Sequence, residues 1–291
     1  MNSKKMRYRQ TLLGLGASVG TIILVLYVIF PVGMGAAVLS PAHSIVGLPP
    51  EGFADIQLQT VDGITLSAWY KEPQNGVAII LLHGSGESRE SIRPYAQLLV
   101  SHGFGVLALD MRGHGSSGGK TNRLGWQGTL DVGAAVAFLE NRPEVQHIGG
   151  LGISLGGEVL LGAASAYPQM EAIAADGATR RCLNDLLVLE SERPLARSYT
   201  ARVMYATVRL LSGGQPPTPI LASMLDAGNT RYLLIAAGRD EMEVQFNRLF
   251  KDELGARAEL WIAADSDHST ALEDYPKEYE EQLVQFFSGT R

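Results

Sequence analysis

Six short apolar runs, each followed by a stretch long enough for a helix, constrain this chain more than any other feature. They are "VAIILL" from Val77, "GVLALD" from Gly105, "HIGGLGI" from His147, "EAIAAD" from Glu171, "RYLLIAAG" from Arg231 and "AELWIAA" from Ala258. A strand with one wet face would alternate polar and apolar residues. Continuous runs belong to strands covered on both faces, as in a parallel sheet. Helices are expected near 88–101, 126–141, 155–167, 242–254 and 275–287. Strands alternating with helices give right-handed crossovers and a mostly parallel sheet with helices on both sides, an α/β fold. Ahead of the first run, "ADIQLQT" and "ITLSAWY" do alternate, around Asp62-Gly63. That pattern predicts an antiparallel hairpin extending the sheet.

Residues 177–230 break the rhythm. They hold arginines at 180, 181, 193, 197, 202 and 209, a Gly213-Gly214 pair and "PPTP". A small, mostly helical cap insertion is expected there, over the carboxyl ends of the strands where open α/β sheets bind ligands. Six arginines against Asp185, Glu190, Glu192 and Asp226 are consistent with solvated helix faces or with attraction of an anionic headgroup.

The N-terminus is of a different character. Leu12 to Phe30 is a run of 19 residues without a charge, which as a helix would span ~28 Å, close to the hydrocarbon thickness of a bilayer. Lys4, Lys5, Arg7 and Arg9 precede it, and the positive-inside bias keeps such residues cytoplasmic. The expected layout is a basic cytoplasmic segment (1–11), a transmembrane anchor (12–30), a connector (31–53) and a catalytic-type domain (54–291) on the non-cytoplasmic face. Two readings compete: a cleaved signal peptide, with "GMGAA" supplying small residues, although the apolar run exceeds the usual ~7–15-residue core of such peptides, and a buried core helix, which being apolar all round would need protein on every side.

The net charge is −6, and because the four N-terminal cations stand apart from any acid, the remainder carries −10. That balance argues against a nucleic-acid-binding body. A single cysteine, Cys182, excludes an intrachain disulfide and any metal site built from paired cysteines.

Chemistry is suggested by Gly152-Ile153-Ser154-Leu155-Gly156, placed where a strand should turn into a helix. A serine between glycines on so tight a turn is the nucleophile elbow. The glycines let the backbone pass, the hydroxyl stands clear of the sheet, and the following helix presents its positive end. A serine hydroxyl needs an adjacent base. His268, after the last strand, is the candidate base, and Asp240, after the strand before it, is the carboxylate expected to orient the ring. Glu241, Glu243, Asp265, Asp267 and Asp176 are the other acids near these loops. His43, His102 and His147 read as surface or capping residues, and His114 as structural. The backbone N–H groups of Leu155 and of Ser85, in "HGSG" after the first buried strand, are the expected oxyanion donors. Glu158, in the first turn after the elbow, either meets the helix N-terminus or lines the pocket and disfavours anionic acyl groups.

"LLHGSG", "DMRGHGSSGG", "GISLGG", "GRDE" and "DSDH", in that order, resemble the α/β-hydrolase superfamily over roughly residues 54–288. The anchored layout, the "VDGITLSAWY" hairpin and Gly125-Trp126 resemble bacterial hydrolases of the acylaminoacyl-peptidase type. The resemblance implies a two-step acyl transfer. Ser154 would attack an ester, amide or thioester, and water activated by His268 would release the acid from the acyl-enzyme. It implies neither a metal nor an organic cofactor. The partners expected are a small-molecule or lipid-like acyl substrate and, through the N-terminal helix, a lipid bilayer. The alternative from another class is a catalytically silent hydrolase-fold scaffold at the membrane.

Overall fold

In the computed structural model, residues 3–120, 123–189 and 195–289 are described. Eight strands form one sheet: β1 (Ala54–Gln59), β2 (Thr65–Lys71), β3 (Val77–Leu82), β4 (Gly105–Leu109), β5 (His147–Ile153), β6 (Met170–Asp176), β7 (Arg231–Ala237) and β8 (Ala258–Ala263). Their order across the sheet is β8-β7-β6-β5-β3-β4-β2-β1. The hairpin β1–β2 runs antiparallel and joins β4 antiparallel, while β4 through β8 and β3 pair in parallel. This is the architecture expected from the run pattern.

Strand β3 shows why those runs lack alternation. Ala78, Ile80 and Leu82 enter one core, while Val77, Ile79 and Leu81 enter the other, so both faces are dry. The first core is completed by α4 (Gly128–Glu140), α5 (Leu155–Ala163), α8 (Ile220–Asp226) and α9 (Glu241–Leu254). The second is completed by α3 (Arg93–Ser101) and α11 (Pro276–Ser288), which contribute Tyr95, Leu99, Tyr279 and Phe287. Between them the short α10 (Ala271–Asp274) leads into α11. The expected cap region contains α6 (Leu183–Leu187), α7 (Leu195–Ser212) and α8; Arg193 lies outside the described residues, as does the side chain of Arg197.

One N-terminal helix is long and apolar enough to cross a membrane, from Tyr8 to Ala37. It is built from α1 (Ser3–Leu24), a π-helical stretch (Val25–Ile29) and α2 (Phe30–Ala37). It runs past the expected anchor at both ends. Pro31 does not stop it, because the preceding π turn has already left the regular hydrogen-bond ladder that a proline ring would disrupt.

The connector is tied to the domain. Ala42–His43 pairs in parallel with His114–Gly115, Ala42 N donates to Gly113 O at 2.6 Å, and Arg93 Nη2 donates to Leu48 O at 2.8 Å.

Candidate active site

The site lies at the carboxyl ends of β5, β6, β7 and β8. Ser154 follows β5 and carries a positive φ of 51° with ψ −115°. A non-glycine residue rarely adopts this region, and the strain persists only where surrounding structure enforces it. Here Ser154 N donates to Asp176 O at 2.6 Å, and Ser154 O accepts from Glu158 N at 3.1 Å. The flanking glycines leave no room for side chains. A Cβ on Gly152 would lie 2.3 Å from the Gly156 carbonyl carbon, and one on Gly156 would lie 2.4 Å from Leu82 O.

Nε2 of His268 lies 2.8 Å from Oγ of Ser154. The ring therefore meets the hydroxyl. Its other nitrogen, Nδ1, is held in a short hydrogen bond by the Glu243 carboxylate. The Glu243 carboxylate accepts a hydrogen bond from Nδ1–H, and the tautomer so fixed leaves Nε2 free to accept from the serine. This contact is the first cause raising the His268 pKa above the ordinary imidazole value, against the lowering effect of burial.

Asp240, expected in that position, does not make this contact. Its Oδ1 accepts from Met242 N at 2.9 Å and Glu243 N at 3.1 Å, capping α9. Glu243 sits one turn into the helix and reaches back, with Oε2 accepting from Ala237 N at 2.8 Å while Oε1 meets His268. A usable signal was present in the sequence: Asp240 followed three residues later by Glu243 is a helix-start pattern that commits the aspartate to the backbone.

Asp176 is buried and accepts from Tyr279 Oη at 3.0 Å; burial pushes its pKa up to about 7. The remaining histidines lie outside this hydrogen-bonded series. His102 meets Glu280, His147 meets Glu171, and His43 meets Gly119 O. His114 is buried and meets the His83 ring edge-on, with 4.9 Å between ring centroids. His83 Nε2 accepts from Met111 N at 3.1 Å and its Nδ1 donates to Gly84 O at 2.7 Å, fixing the start of the loop after β3. Burial drives the His83 pKa down to about 3, so the ring stays neutral.

Ser85 is exposed in that loop, and Leu155 opens α5. Leu82 pairs with Gly152, so both segments leave adjacent strands at the same end of the sheet. Glu158 does more than face a helix terminus. Its Oε1 accepts from Thr179 Oγ1 at 3.1 Å and from Arg180 N at 2.9 Å, and burial raises its pKa. It thus holds the segment after β6 against the site.

A cavity of about 390 Å³ joins these groups, lined by Ser154, Glu158, Arg180, Met204, Tyr205 and His268 among others. That volume lies within the range of small-molecule sites. Asp240, Glu243 and His268 are also close enough to share a cation, with donor atoms within 4.8 Å of one another. Of these, Asp240 Oδ1 is engaged by the α9 cap, and Glu243 Oε1 and His268 Nδ1 by each other.

An elbow serine facing an imidazole at the carboxyl edge of a mostly parallel sheet defines an α/β hydrolase. The chain belongs to the family described as serine aminopeptidase S33, whose model matches residues 73–229. It is 36% identical over 222 residues to the uncharacterised protein YqkD of Bacillus subtilis, covering 72% of this chain and 71% of that one. An esterase of Pyrococcus furiosus superposes with a TM-score of 0.71 at 25% identity, covering 87% of this chain and 98% of the esterase. An esterase of Exiguobacterium antarcticum shares the fold, with a TM-score of 0.57 at 14% identity, covering 81% of this chain and 100% of that one.

Proposed function

We propose that the protein is a membrane-anchored serine hydrolase that cleaves carboxylic esters through an acyl-enzyme. The observation carrying this reading is the continuous hydrogen-bonded series Ser154 Oγ, His268 Nε2, His268 Nδ1, Glu243. His268 takes the hydroxyl proton as Ser154 Oγ bonds to the acyl carbon, and Glu243 stabilises the imidazolium that forms. The backbone N–H groups of Ser85 and Leu155 receive the charge developing on the acyl oxygen. Collapse of the tetrahedral species expels the alcohol, protonated by His268. Water then enters and gives a proton to Nε2 as its oxygen bonds to the acyl carbon, and that proton passes to Ser154 Oγ as the bond to serine breaks and the acid leaves. Likeness to the Pyrococcus esterase supports an ester substrate.

The anchoring half of the reading rests on the apolar helix of Tyr8–Ala37, none of whose most apolar window is buried. With basic residues only at its start, it would keep the N-terminus in the cytoplasm and carry the hydrolase on the opposite face.

Hydrolysis of p-nitrophenyl esters of graded acyl length by the detergent-solubilised protein tests the catalytic half. The expected result is turnover abolished in Ser154→Ala and His268→Ala. A folded wild-type protein inert to every ester would favour the silent scaffold.

A further inference from the structure

The apolar N-terminal helix does not merely trail from the domain. At its end it packs on α7. Pro31 and Gly35, one turn apart, are the residues of α2 that become buried. A Cβ on Gly35 would lie 2.8 Å from Met204 O and 2.8 Å from Thr207 Cβ, so the two helices approach at backbone distance. Tyr27 meets Tyr199 with 5.8 Å between ring centroids. Leu39, Trp126, Tyr205 and Val208 then close a small core beneath the contact. Met204 and Tyr205 are on the same α7 segment, and both line the cavity that holds Ser154.

The outer strip of α7 is unusual for a face in water. Tyr199, Arg202, Ala206, Arg209 and Leu210 follow one another at helical spacing and are exposed. Leu210 is 81% exposed and its neighbour Leu211 is 58% exposed. Tyrosine, arginine and leucine on one strip suit the boundary between headgroups and acyl chains, where rings and long cationic stems keep one end wet. The strip is continuous with the bare apolar helix that packs against α7. The connector, hydrogen-bonded to the domain, leaves little slack between the two.

We infer that α7 is a second membrane-contact element, resting on the bilayer beside the anchor helix, so that the cavity opens at the lipid surface and draws its acyl ester from the leaflet. This rests on the anchored-hydrolase reading above. It adds to it a source for the substrate and a role for the anchor in shaping the cavity wall.

The test uses the full chain in proteoliposomes. An environment-sensitive dye on Leu211→Cys is compared with the same dye on Ser101→Cys, which ends α3 at the amino ends of the strands, in vesicles containing brominated lipid. Quenching at 211 and not at 101 is expected; equal quenching at the two positions overturns the docking, whatever the enzyme does. In parallel, Leu210→Asp/Leu211→Asp is assayed on a fluorogenic diacyl lipid in the vesicle and on p-nitrophenyl butyrate in water. Burying one such leucine accounts for about a tenfold effect. A loss of that size on the vesicle substrate, with butyrate turnover kept, is expected. Equal losses on the two substrates, or none on either, would overturn it. Quenching at 211 in a protein that hydrolyses nothing would leave the docking standing and remove the hydrolase reading alone.

Discussion

Glu243, three residues beyond the aspartate that the chain order favours, is the carboxylate that meets Nδ1 of His268. The two acids divide the work because one is spent on the backbone. Asp240 satisfies two N–H groups at the start of α9, and Glu243, carried on the first turn, faces the ring.

Glu243→Gln should lower kcat by about 10³–10⁴, since an amide cannot both accept from Ala237 N and hold the productive tautomer of His268. Asp240→Asn, which keeps a capping oxygen, should leave kcat within about tenfold. Asp240→Ala should cost about 1 kcal/mol of stability through the lost cap. Steady-state kinetics and urea denaturation on the three variants check the division.

Activity should fall as pH drops through a value above the ordinary imidazole pKa of about 6.5. Only neutral His268 can accept the serine proton, and the Glu243 hydrogen bond stabilises the charged ring. In Glu243→Gln the acid limb of the residual kcat/KM profile should move to lower pH. A limb that stays in place would show that another group sets it.

How much of this was legible in the sequence follows from what each feature depends on. The sheet was, because a strand dry on both faces must be apolar at every position, as β3 is. The elbow was, because Gly152 and Gly156 answer a local steric demand. Glu243 is less legible: the helix-start pattern can assign Asp240 to the backbone, but only the fold shows that Glu243 then reaches the ring. The pairing of Gly35 with Thr207 was also invisible, since it depends on how residues far apart in sequence meet in space.

Burial pushes the Asp176 pKa up to about 7, well above its unfolded value. The fold therefore binds a proton that the unfolded chain has already released, and stability should decline as pH rises from about 4 to about 7. Asp176→Asn should flatten this slope, as read from melting temperature against pH.

Strain at the elbow predicts an order of stabilities. Ser154→Gly and Ser154→Ala both lose the hydroxyl, but glycine accepts a positive φ that alanine resists. Ser154→Gly should be the more stable by about 1 kcal/mol in urea denaturation, with neither variant active. Gly156→Ala should cost about 3 kcal/mol or more, because its methyl would press on the end of β3.

The most direct measurement is mass analysis of the intact protein and its peptides after reaction with a fluorophosphonate. The predicted result is one covalent adduct, on the peptide containing Ser154, that is absent from Ser154→Ala and slowed in Glu243→Gln. A folded protein that takes up no label, or carries it on another serine, would contradict the account.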